Sequence, residues 1–116
     1  MATDETRVEG RERVIKVSVL YSKNAGSRFD MAYYLDRHIP MVRQKLAGSL
    51  RGASVEQGLG GIEPGSPPAY AAMGHLLFDS LAAFQESFGP HAAAIVGDIP
   101  NYTNTQPTIQ ISDVKL

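Results

Sequence analysis

A chain of 116 residues is the size of one domain and too short for two hydrophobic cores. Its apolar fraction of 43% and charged fraction of 20% are ordinary for a globular protein, and a formal charge of −1 gives no general attraction to nucleic acid or to an anionic membrane. The absence of cysteine excludes a disulfide framework, a thiolate nucleophile and a Cys-based metal site.

Residues Met1 to Arg13 are mostly polar and charged and read as a disordered leader, with the domain expected over 14–116. This stretch has no apolar signal core, and no run in the chain approaches the ~20 apolar residues needed to span a bilayer, so a cytoplasmic location is the default expectation. Val14 to Tyr21 is rich in β-branched residues and alternates, placing Ile15, Val17, Val19 and Tyr21 on one face of a first strand. After a loop at Ser22–Ser27, Asp30 is suited to cap a helix from Met31 to about Arg37. Pro40 lacks a backbone N–H and predicts a break or kink near His38–Pro40, followed by a further turn or two to Leu46.

Arg51 to Leu59 predicts a second strand. Gly60 to Pro68, crowded with glycine and proline, reads as an irregular loop. Ala69 to Phe78 gives a third strand. Asp79 or Ser80 caps a second helix from about Leu81, interrupted at Gly89-Pro90 and ended by Gly97. Thr108 to Val114 alternates and closes the order β-α-β-β-α-β. This is the ferredoxin-like α+β arrangement: a four-stranded antiparallel sheet with two helices on one face. The helix-free face is mixed, with Lys16, Ser18, Leu20, Ser54, Glu56, Met73, His75, Leu77, Gln110 and Ser112. It reads either as a solvated sheet face or as a face that packs on a second subunit and encloses a semi-polar cavity.

Three histidines carry the candidate chemistry. His38 stands at the predicted helix break, one turn after Tyr34. It is read either as a residue at a pocket mouth or as a helix cap. His75 lies on the mixed face between Met73 and Leu77, where a satisfied structural histidine is the plainer alternative. His91 reads as a surface or packing residue. A histidine–carboxylate pair suits acid–base work near neutral pH, with Asp30, Asp36, Glu56 and Asp98 as possible partners. No HExxH, Walker, GxGxxG or GxSxG motif is present, the spacing supports no metal site, and scattered cations argue against nucleic-acid binding.

The run Arg28-Phe-Asp-Met-Ala-Tyr-Tyr-Leu-Asp-Arg-His-Ile-Pro-Met41 resembles the first-helix signature of the EthD family, Tyr-x-x-x-His-x-Pro, carried here by Tyr34, His38 and Pro40. Gly74 to Ser80, Asp98-Ile-Pro-Asn-Tyr-Thr-Asn104, Pro107 and Ile109 to Ser112 are similar to later motifs of that family. The likeness spans about Val14 to Leu116. It implies membership of the dimeric α+β barrel superfamily, a homodimer formed through the sheet face, and a cavity for a small hydrophobic ligand.

On that basis His38, His75 and Tyr34 are expected to be catalytic and to share one cavity. Ser18, Met73, Asn101, Tyr102 and Gln110 are expected to bind the ligand, Tyr102 or Asn101 closing the cavity. The resemblance implies cofactor-independent proton transfer (isomerisation, cyclisation or dehydration) on a hydrophobic, oxygenated compound. A non-catalytic carrier is the alternative, and a haem-binding or haem-degrading member is disfavoured by the lack of tryptophan.

Overall fold

The structure, a computed structural model, describes residues 13–116. Of the leader assigned to 1–13, only Arg13 lies within this range, and its guanidinium pairs with Asp113 at 2.8 Å; the rest lies outside the described residues.

Strand β1 runs Ile15–Ser22, β2 Gly52–Gln57, β3 Tyr70–Phe78 and β4 Thr108–Asp113. All pairings are antiparallel, in the order β2-β3-β1-β4. This is the ferredoxin-like α+β fold. The alternation in β1 is realised, for Ile15, Val17 and Tyr21 are buried beneath the helices. The register carries that face across the sheet: Val17 pairs with Leu76 and Ile111, and Val19 with Gly74 and Ile109. The opposite face has Ser18 between His75 and Gln110, and Leu20 between Met73 and Thr108.

The first helical segment does not break at Pro40. A short α1 (Met31–Tyr33) widens into a π-helical turn at Tyr34–His38 and continues as α2 (Ile39–Lys45). The Ile39 N–H donates to the Tyr34 carbonyl, five residues back. An ordinary α-helix would drive the proline ring into the carbonyl of Asp36; the wider turn relieves that clash, and helical residues run without a gap to Lys45. Asp30 caps the start, its Oδ1 accepting the Tyr33 N–H at 3.0 Å.

The second helical segment follows the sequence pattern. Ser80 caps α3 (Leu81–Phe88), a 3₁₀ turn at Gly89–His91 absorbs Gly89-Pro90, and α4 (Ala92–Gly97) completes it. Both segments pack on one sheet face. Val17, Val42, Leu46, Phe78 and Ile95 form one buried cluster; Tyr21, Tyr34, Ala72 and Tyr102 form another. Among the described residues no helix is long and apolar enough to cross a membrane.

Candidate functional site

Between sheet and helices lies a cavity of about 270 Å³, lined by members of both buried clusters. Its walls are Val17, Val19, Leu76, Val42, Ile95 and other apolar groups. The polar side chains facing it are Tyr21, Tyr34 and His38. Tyr34 reaches the sheet at Gly74, where any Cβ would collide with the Tyr34 hydroxyl. The missing side chain of Gly74 is therefore what lets the first helix lay its tyrosine on β3.

His38 is 4% exposed. Its Nδ1 lies 2.9 Å from Oδ2 of Asp98, which stands after α4 at the start of a 3₁₀ turn (Ile99–Asn101). The other carboxylate oxygen accepts the Tyr33 hydroxyl at 2.7 Å and the Asn101 amide at 2.9 Å. Burial raises the Asp98 pKa, but donation from Asn101, Tyr33 and His38 outweighs it and holds the carboxyl below its usual range. For His38, burial is the larger effect and lowers the imidazole pKa, against the opposing pull of Asp98. A neutral ring beside an ionised Asp98 carries its proton on Nδ1 and leaves the Nε2 lone pair free to accept.

The proton directions follow from that tautomer. The Tyr102 hydroxyl, 3.4 Å from Nε2, donates to it through a long, weak contact. Tyr21 then donates to Tyr102 across 2.6 Å. Burial raises the pKa of Tyr21, Tyr34 and Tyr102, so they remain protonated donors. The rings form one aromatic cluster: Tyr34 lies parallel to His38 at 5.5 Å and 13°, and Tyr102 sits tilted 4.6 Å from His38.

The segment that supplies Asp98, Asn101 and Tyr102 also fastens the entry to the first helix. Asn104 accepts the Arg28 N–H and donates to the Gly26 carbonyl, and Thr103 donates to the Arg28 carbonyl. The two stretches that resemble family motifs are thus physically one unit.

His75 is not in this cavity. The expectation that His38 and His75 share a pocket is corrected: β3 alternation turns Leu76 and Phe78 toward the helices, where His38 arrives, and so turns His75 to the opposite sheet face. There Nδ1 meets the Ser18 hydroxyl at 2.9 Å and Nε2 meets Glu56 at 2.9 Å. Ser18, Met73 and Gln110 lie on that same open face, outside the cavity. Asn101 orients Asp98 rather than closing the cavity, and Tyr102 meets His38 at Nε2 without lining the cavity. Of the residues singled out from sequence, Tyr34 and His38 line the pocket. Tyr21, Tyr33 and Gly74 were missed. Tyr21 had a legible signal, a tyrosine on a buried apolar stripe whose hydroxyl must find a partner.

This fold and site define a ferredoxin-like α+β protein with an apolar cavity beside a buried histidine–aspartate pair. The EthD domain model matches residues 26–106, and the chain belongs to the EthD family. An EthD-like protein from Ralstonia eutropha JMP134 is 44% identical with a TM-score of 0.86, the match covering 91% of this chain and 96% of that one. An ethyl tert-butyl ether degradation (EthD) family protein from Bacillus halodurans C-125 is 19% identical, with a TM-score of 0.67 over 87% of this chain and 98% of the other. A dimeric ferredoxin-like protein of unknown function from Thermobifida fusca YX is 15% identical, with a TM-score of 0.56 over 90% and 93%. The latter two show likeness of fold alone. No curated protein matches the chain.

Proposed function

We propose that this protein is a cofactor-independent proton-transfer enzyme acting on a small hydrophobic, oxygenated compound, with His38 as the general base. The observation that carries this reading is a buried imidazole whose Nδ1 is fixed by Asp98 and whose ring borders an apolar cavity. Such a base abstracts a proton from carbon next to a carbonyl. The C–H electron pair moves into the enolate, whose oxygen takes a hydrogen bond from Tyr34, and the proton displaces the long Tyr102 contact and rests on Nε2 as imidazolium beside Asp98. Returning it to another carbon is isomerisation; using it to expel a hydroxyl is dehydration.

The test is hydrogen–deuterium exchange of enolisable ketones in D₂O, read by NMR. Wild type should catalyse exchange and His38→Gln should not. A ketone that binds and stabilises the fold, by about 2.7 kcal/mol at a hundredfold excess over Kd, yet exchanges no faster than in buffer would establish a carrier instead. The near-absence of polar groups in the cavity wall is what favours that second reading.

We further propose a homodimer through the open sheet face. Leu20, Met73 and Leu77 lie there beside the hydrogen-bonded Ser18, His75 and Glu56, a surface costly to leave in water and already satisfied in its polar groups. The Thermobifida relative is described as dimeric.

A further inference from the structure

We infer that the ligand of the His38 cavity is an uncharged, elongated molecule with a hydrogen-bonding group at each end, and that Gln106 recognises the outer one. This deepens the proposed function and rests on the cavity being the ligand site. A second depression continues the cavity outward: Val96, Ile99, Pro107 and Ile109 line both. Tyr21, Tyr34 and His38 are buried, whereas Val96 and Ile109 are 51% and 54% exposed, which fixes the inner and outer ends.

Polarity is divided between those ends. The inner end offers hydroxyls and an imidazole; the connecting walls are apolar; the outer depression adds Thr103, Asn104, Thr105 and Gln106. Thr103, Asn104 and Thr105 are engaged in holding the loop around Arg28. The Gln106 side chain has no hydrogen-bond partner among the described residues and is exposed, so its amide is left to meet a ligand as donor or acceptor.

Charge is the other half of the inference. Among the described residues no Lys, Arg, Asp or Glu lines either hollow. A carboxylate or phosphate drawn inside would lose its hydration without gaining a cation. A neutral carbonyl or hydroxyl is what the Tyr34 hydroxyl and Nε2 can match.

Three matched probes decide this by calorimetry on the full chain near neutral pH: 4-phenylcyclohexanone, 4-(4-hydroxyphenyl)cyclohexanone and 4-phenylcyclohexanecarboxylate. The ketone should bind, the phenolic hydroxyl should tighten binding roughly three- to tenfold, and in Gln106→Leu the two ketones should bind alike. The carboxylate should bind about a hundredfold more weakly or worse. A carboxylate that binds as well as the ketone overturns the exclusion of charge. A phenol gain that is absent, or survives Gln106→Leu, overturns the two-ended assignment. The ring ¹⁵N signals of His38 separate this from the parent reading. If no probe binds, or binding leaves those signals unmoved, the cavity is not the ligand site and both readings fall.

Discussion

His38 and Asp98 stand 60 residues apart in the chain and meet at 2.9 Å, ring nitrogen to carboxylate oxygen. Tyr33 and Asn101 hold the other oxygen, so three donors together orient the carboxylate toward the imidazole. The pair therefore sets the tautomer of the base as well as its position.

The first prediction concerns pH and stability. His38 has its folded pKa below its ordinary value of 6.5, so the unfolded chain binds the proton first. Stability is then fully present above about 6.5 and falls as pH drops from there toward the depressed folded value. Asp98 adds a separate loss below its ordinary 3.8, since its folded pKa is also lowered. Thermal melts between pH 8 and 5 should show Tm declining on acidification through the first window, and His38→Gln should flatten that decline. An unchanged slope would mean that another group controls it.

Asp98→Asn should damage chemistry more than fold. The amide no longer stabilises imidazolium, so the His38 pKa should fall further. The neutral ring is also free to place its proton on Nε2, where it cannot act as a base. Ketone exchange should drop on the order of a hundredfold, within the range that general acid–base catalysis supplies. The measurement is the exchange rate against pH, beside an NMR titration of the ring; a rate equal to wild type would remove Asp98 from the mechanism.

Gly74→Ala puts a methyl group where the Tyr34 hydroxyl rests. Overpacking of this kind costs about 1–3 kcal/mol. Tyr34→Phe removes the colliding oxygen, so the double variant should be less destabilised than the sum of the two singles. Denaturant melts of the four proteins test this, and strict additivity would show that the two positions do not touch.

Met73→Arg tests the open face. In the protomer the new guanidinium has Glu56 opposite it on β2 and can pair there, so circular dichroism should be unchanged. In the dimer it introduces a charge at the interface. Sedimentation should report dimer for wild type at micromolar concentration and monomer for Met73→Arg. A wild-type monomer would end the dimer proposal.

Local signals were the legible part of this sequence. Asp30 and Ser80 cap the helices because a short acceptor side chain before a helical run has one good use, and β1 and β3 alternate as two-sided strands must. Even the face of His75 was readable from Leu76 and Phe78. What could not be read was on which side of the sheet the cavity lies, since that depends on how far the helices stand off Val17 and Val19. Asp98 was one of four possible partners for a histidine, because contact across 60 residues is a property of the packed whole. Pro40 announced an irregularity, but whether a helix breaks or widens there depends on Tyr34 being anchored at Gly74, a tertiary fact.

The π turn gives this helix a length-sensitive frame. Tyr34 and His38 stand at the two ends of the π turn, and their rings face each other at 13° within it. One residue fewer between Tyr33 and Pro40 would push the segment toward plain α-helix, the geometry in which the proline ring meets the carbonyl four residues back. The tyrosine and the histidine would then point in different directions. A single-codon deletion here would therefore strike twice, restoring the proline clash at a cost of about 3 kcal/mol and misaligning the site, and homologues differing by one residue in this stretch should be sorted by function before they are aligned by identity.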